Sequence, residues 1–150
     1  MPLHRFPAAA SGAATLAVAL CTLVPTSAGA ASTASAPVVH ESSTLLACPG
    51  KPRTTLQIEG CAEHKVIATD KTIDALNAKI FTRLSKAGRG EFVKTNADWV
   101  DYRDAACTTE ASIYSGGSVQ PVAYANCLVS IDGSHVTELK AMLVAISPAG

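Results

Sequence analysis

Beyond about residue 54, apolar positions in this chain recur every three or four residues. The first stretch places Leu56, Ile58, Cys61, Val66, Ile67, Ile73, Leu76, Ile80, Phe81 and Leu84 in that rhythm. A spacing that drifts between three and four marks an amphipathic helix with one buried stripe. Thr54 or Thr55 suits its N-cap, with Glu59 inside the first turns. Thr69-Asp70 reads as a kink or a second N-cap that would split this helix in two, and Gly88-Arg89-Gly90 as its end. A second helix is predicted from about Glu91 to Tyr114, with Phe92, Asn96, Trp99, Arg103, Ala106, Glu110 and Ile113 on one stripe. Val93, Val100 and Cys107 lie beside that stripe. After Ser115-Gly116-Gly117-Ser118, Pro121 suits the first turn of a third helix. That helix carries Val122, Tyr124, Ala125, Cys127, Leu128 and Ile131, then a bend at Asp132-Gly133-Ser134. Val136, Leu139, Met142, Leu143 and Ile146 continue it to Pro148. No strand-like alternation is long enough to pair, and no internal repeat is present. The fold class is therefore all-α: a small bundle of three long helices, the first of them split if Thr69-Asp70 breaks it.

The N-terminal 30 residues follow another pattern. His4 and Arg5 precede an apolar run from Ala13 to Val24, which is too short for a bilayer span of about 20 residues. Pro25 breaks the run, and Ala28-Gly29-Ala30 has the small-residue form of a signal-peptide cleavage site. Ala34-Ser35-Ala36 is a second candidate site. Residues 1–30 are thus read as a signal peptide, residues 31–47 as a disordered lead-in and residues 48–147 as the helical domain. Cleavage leaves 120 residues with 11 basic and 12 acidic side chains, a net charge of −1. That balance carries no nucleic-acid footprint. The expected location is secreted or extracytoplasmic, in the cell envelope, with no stable membrane insertion once the leader is removed.

Cys21 leaves with the leader, so four cysteines remain: Cys48, Cys61, Cys107 and Cys127. An even count in a short exported domain reads as a disulfide framework. Four cysteines allow three pairings, and the local one suits the helices best. Cys48 sits in a loop that can fold back on Cys61, while Cys107 and Cys127 flank the Gly-rich turn of an antiparallel hairpin. The second closure would stabilise the fold by roughly 3 kcal/mol in the loop-entropy picture. A zinc site using Cys61 and His64 lacks a C-x-x-C pair. A nucleophilic cysteine would need an unpaired thiol. No cofactor and no metal are expected.

The titratable residues point to binding rather than catalysis. Ser118 and Ser134 adjoin glycines, but no strand precedes either, so no nucleophile elbow forms. Asp98, Asp101 and Asp104 fall three apart and read as a solvated acidic ridge. Arg103 is the most informative charge, because it follows Trp99 by four residues on the core stripe. It can stack on the indole and pair with a carboxylate of the first helix, with Glu59, Asp70 and Asp74 as candidates.

The ordered set Cys48, Cys61, a Leu76-Asn77 helix, Trp99-x-x-Tyr102-Arg103-Asp104-x-x-Cys107, Gly116-Gly117-Ser118 and Cys127 resembles the lysozyme inhibitor LprI family of small exported bacterial proteins. The likeness runs from about Cys48 to Leu143. There are departures. Asn96 stands where the family often has Gln, Ile73 stands where an acid precedes Leu-Asn, and Ile80 replaces an aromatic. Asp132 and His135 stand where the family tends to show Thr and Arg, ahead of Leu139. The resemblance implies a protein partner, lysozyme, and a block on cell-wall hydrolysis made by a loop inserted into the enzyme's cleft. Trp99, Tyr102, Arg103 and Asp104 are then structural pairing residues. Tyr114, Ser115, Gly116, Gly117 and Ser118 become the candidate binding turn, presenting N–H and hydroxyl donors to a site built on two carboxylates. The alternative is an envelope or secreted module of the same fold with a non-lysozyme partner.

Overall fold

Thr54 ends the N-terminal loop and starts the first helix. In the computed structural model, which describes residues 34–39 and 45–147, the Thr54 Oγ1 accepts the Gln57 N–H at 3.3 Å. Gln57 Oε1 in turn accepts the Arg53 N–H at 2.8 Å. The first bond satisfies one donor that the opening turn leaves free, and the second ties the residue before the cap to the helix. Helix α1 then runs unbroken over Thr55–Arg83. The split expected at Thr69-Asp70 does not occur. The Thr69 hydroxyl bonds back to the Lys65 carbonyl within the helix, and Asp70 is buried against the second helix instead of capping a new one.

The end of α1 also differs from expectation. Leu84 turns extended and Ser85 caps the next helix, its Oγ accepting the Gly88 N–H at 3.2 Å. Helix α2 therefore spans Lys86–Ser112, with Gly88 and Gly90 inside its first turns. A helical glycine costs only about 1 kcal/mol, less than a serine cap and a pinned corner return. The pin is Arg89, whose Nε donates to the Phe81 carbonyl at 2.9 Å while its guanidinium lies 5.0 Å from the Phe81 ring centroid. Helix α3 spans Gln120–Ala145 with Pro121 in its first turn. It is continuous through Asp132-Gly133-Ser134, so the expected bend is absent.

The three helices form an all-α bundle in which α3 packs along both α1 and α2. The core has two apolar ends. One holds Ile73, Leu76, Ile80, Phe81, Phe92 and Leu139. The other holds Cys107, Cys127 and Leu128 with Val66, Tyr124 and Ile131 against them. On α2 the buried stripe passes through Phe92, Asn96, Arg103, Cys107 and Ala111. It does not pass through Glu110 and Ile113, because positions 103, 107 and 111 stay on one face at a spacing of four.

Two disulfides staple the domain. Cys48–Cys61 ties the N-terminal loop to α1 with Cα atoms 4.5 Å apart, and Cys107–Cys127 ties α2 to α3 at 5.4 Å. The first brings the loop so close that a Cβ on Gly60 would stand 2.7 Å from the Ala47 carbonyl oxygen. Glycine is required there.

The lead-in read as disordered over 31–47 is packed where it is described. Val39 is buried among the apolar side chains of α1, and its N–H donates to Asp74 Oδ1 at 2.6 Å. The Leu46 N–H donates to Glu63 Oε2 at 3.3 Å. An apolar side chain and satisfied backbone donors offset the ordering cost of this short stretch. The signal peptide and cleavage sites expected within residues 1–30 lie outside the described residues. No described helix is long and apolar enough to cross a membrane.

Candidate functional site

Between the two apolar ends lies a layer of buried charge. Asp70 of α1, Arg103 of α2 and Asp132 of α3 are each at most 3% exposed. Arg103 Nη1 lies 3.4 Å from Asp70 Oδ1 and 3.5 Å from Asp132 Oδ1, and its Nε donates to Asp104 Oδ1 at 2.9 Å. Its guanidinium carbon sits 5.5 Å from the Trp99 ring centroid. One cation thus joins all three helices and fixes their register. Burial alone would pull the Arg103 guanidinium down. The hydrogen bond to Asp104 and the charges of Asp132, Asp104 and Asp70 outweigh that pull and hold it above its usual value.

Asp132 has the opposite balance. Neither of its carboxyl oxygens accepts a hydrogen bond among the described residues. Burial pushes its pKa up, Arg103 only partly opposes this, and the neighbouring Asp70 adds to it, so that it reaches about 7. Two buried carboxylates and a half-exposed third share one guanidinium, and the most buried of them gives up its proton only near neutral pH.

A second polar pair sits one helical repeat away. Asn77 Nδ2 donates to Asn96 Oδ1 at 3.0 Å, and Asn96 Nδ2 donates to the Phe92 carbonyl at 3.0 Å. Both side chains are buried. Asp70 and Asn77 are seven residues apart on α1, as Asn96 and Arg103 are on α2, so one face of each helix carries both contacts. His135 stacks on Trp99, with ring centroids 3.9 Å apart, and its Nδ1 lies 3.2 Å from Glu138 Oε2. Burial lowers its pKa despite Glu138. A neutral imidazole packed flat on the indole is therefore the favoured form, and the positive charge of an arginine is not reproduced at this position.

The remaining residues singled out from sequence separate into an inner and an outer set. Arg103 belongs to the buried layer with Trp99 and Asp104 half-buried beside it, whereas Tyr102 is 63% exposed and lines a shallow cavity of about 260 Å³ with Trp99, Ser134 and His135. Asp98 pairs with Lys94 on the surface, while Asp104 turns to Arg103. The acidic ridge is thus not continuous. Among the three partners foreseen for Arg103, Asp70 takes the role. Asp74 holds the lead-in, and Glu59 lines a cavity that Asp70 and Arg103 also border. Asp132 was missed. Its signal is the i, i+4 spacing from Leu128 and the seven-residue spacing to Leu139, which the bend-like composition of Asp-Gly-Ser masks.

The turn between α2 and α3 closes over Tyr114–Ser118, beginning seven residues after Cys107 and ending nine before Cys127, the two ends of the bridge. Gly116 has φ 76°, which only glycine adopts without strain. The donors expected to face a partner are largely used inside the turn. The Gly116 N–H donates to Gln120 Oε1, the Gly117 N–H to the Tyr114 carbonyl and the Ser115 hydroxyl to the Ser112 carbonyl. Apolar side chains are exposed alongside the exposed serines and glycines of the turn. Ile113 is 78% exposed, Tyr114 47% and Val119 46%.

The sequence profile described as lysozyme inhibitor LprI matches residues 48–139, from the first disulfide cysteine to the last buried leucine of α3. No curated protein and no solved structure matches the chain. The matched span covers well over half of the 150 residues and contains both disulfides, the charged layer and the turn. By that match, the chain belongs to the lysozyme inhibitor LprI family.

Proposed function

We propose that this protein is an exported inhibitor of a lysozyme-type cell-wall hydrolase, acting as a binding protein and not as an enzyme. The turn Tyr114–Ser118 enters the hydrolase cleft. The observation that carries this reading is the exposure of Ile113, Tyr114 and Val119 together on a turn clamped by Cys107–Cys127. Isolated apolar side chains at a surface are ordinary, but three exposed within residues 113–119, where the flanking helices are linked by a disulfide, suit an interface. Clamping lowers the ordering cost of binding. The turn's internal hydrogen bonds make it a preformed wedge rather than a donor array. Tyr114 adds a phenolic hydroxyl able to donate to a cleft carboxylate. Two disulfides fit an oxidising, extracytoplasmic compartment.

The test is lysis of bacterial cell walls by lysozyme with the purified mature protein added in excess. Lysis should slow in proportion to inhibitor. The double variant Ile113→Glu/Tyr114→Glu should keep its helical circular dichroism and inhibit at least about tenfold less well, as loss of a central aromatic anchor does elsewhere. Undiminished lysis with the parent protein would remove the inhibitor reading. Full inhibition by the variant would move the contact away from the turn.

A further inference from the structure

A cavity of about 210 Å³ opens beside the charged layer, and neither the fold nor the turn makes use of it. Its walls are apolar, with Val66 and Ile67 from α1 and Tyr124 and Leu128 from α3. Its carboxylates are Glu59, Glu63 and the buried Asp70, against the single guanidinium of Arg103, a formal charge of −2. Arg103 is already engaged by Asp70, Asp104 and Asp132. Glu63 accepts the backbone N–H of Leu46. Among the described residues no lysine or arginine pairs with Glu59 or Glu63.

An apolar shaft with an uncompensated acidic rim is complementary to one kind of group, a cation on a hydrocarbon stem. The volume falls short of the roughly 300 Å³ at which pockets for whole drug-sized ligands begin, so a single side chain is the appropriate size. Lysine and arginine lay their methylenes on apolar surface and keep the charged head among polar groups, and an aromatic wall such as Tyr124 favours a cation further. The cavity also lies at the end of α3 that follows the proposed contact turn. Pro121 and Tyr124, which line it, lie in the first turns of α3 immediately after Ser118.

We propose that this cavity receives one lysine or arginine side chain from the protein partner, its cation taken by Glu59 and Glu63 and its methylenes by Val66, Ile67 and Leu128. The inhibitor reading supplies the partner's identity, while the chemistry of the cavity stands on its own. The experiment is an NMR titration of the mature, disulfide-bonded protein with three probes: the N-acetyl methylamides of lysine, arginine and norleucine. The Tyr124 ring and Arg103 Nε resonances report occupancy. The two cationic probes should shift them saturably in the millimolar range, and neutral norleucine should bind about tenfold or more weakly, the scale set by two partly exposed ion pairs. Glu59→Gln/Glu63→Gln should erase that preference. Glu59→Gln alone, which keeps the Leu46 contact, should weaken the cationic probes by about threefold. Equal binding of norleucine, an unchanged preference in the double variant, or no saturation below roughly 0.1 M would overturn the proposal. A parent protein that binds these probes yet leaves lysozyme active would overturn the inhibitor reading and leave the cavity's chemistry standing.

Discussion

Replacing Asp132 by asparagine should leave stability nearly unchanged at pH 4 and raise it at pH 8. The side chain is fully buried between α1 and α2 and faces one arginine shared with Asp70 and Asp104. Its pKa rises from 3.8 to about 7. In the unfolded chain the carboxyl ionises near its ordinary value, so between these two pH values the folded state holds a proton that the unfolded state has lost. Stability from this group is therefore fully present below pH 3.8 and declines until the pH passes about 7. At 1.36 kcal/mol for each tenfold change, the displacement amounts to about 4 kcal/mol. Asparagine has the shape of the protonated acid and does not titrate. The stability difference between variant and parent should thus grow by about 4 kcal/mol in the variant's favour from pH 4 to pH 8. Denaturant unfolding at several pH values, compared at equal salt, measures it. A difference that stays flat would mean that Asp132 titrates like an exposed acid. A difference of opposite sign, with the variant weaker at pH 8, would mean that Asp132 is ionised and forms a net stabilising pair with Arg103.

Other consequences follow from the same geometry. Arg103→Met should destabilise by about 3–5 kcal/mol at pH 8, because it strands Asp70 and Asp132 without a cation, and by less at pH 5, where Asp132 is protonated; thermal unfolding at the two pH values separates these. Gly60→Val should cost about 1–3 kcal/mol, since its Cβ would collide with the Ala47 carbonyl, and denaturant midpoints would register the loss. Ser85→Ala removes the cap at the α1–α2 corner and should cost about 1 kcal/mol. Cys107→Ala/Cys127→Ala should lower stability by about 2–4 kcal/mol and also weaken inhibition, because the turn loses its clamp.

The parts of this fold that sequence revealed are those set by local rules. Thr54 announces the start of α1, the three-to-four spacing announces all three helices, and cysteines placed around a Gly-rich turn suggest the local bridges. Arg103 stood out because a permanent cation on a core stripe must find a carboxylate. The features that escaped sequence depend on contacts between helices. Thr69-Asp70 and Asp132-Gly133-Ser134 have the composition of breaks, but Asp70 and Asp132 are drawn into the interior by Arg103, and tertiary pairing overrides local propensity there. The α1–α2 corner went to Gly88 and Gly90 instead of Ser85 because glycine is a conspicuous breaker and a lone serine is not. At the turn, Gly116 and Gly117 N–H and the Ser115 hydroxyl bond within the segment, which composition alone does not reveal. Ile113, Tyr114 and Val119 are exposed there beside the exposed Ser115–Ser118 stretch.

The wedge account is tested most directly by amide hydrogen exchange on the mature protein, alone and mixed with lysozyme. It predicts slowed exchange across residues 113–119 and the adjoining first turns of α3, with the outer face of α2 around Asp98 and Asp101 unchanged. Slowed exchange around Tyr102 and Ser134, with the Gly116-Gly117 turn exchanging as fast as in the free protein, would contradict it.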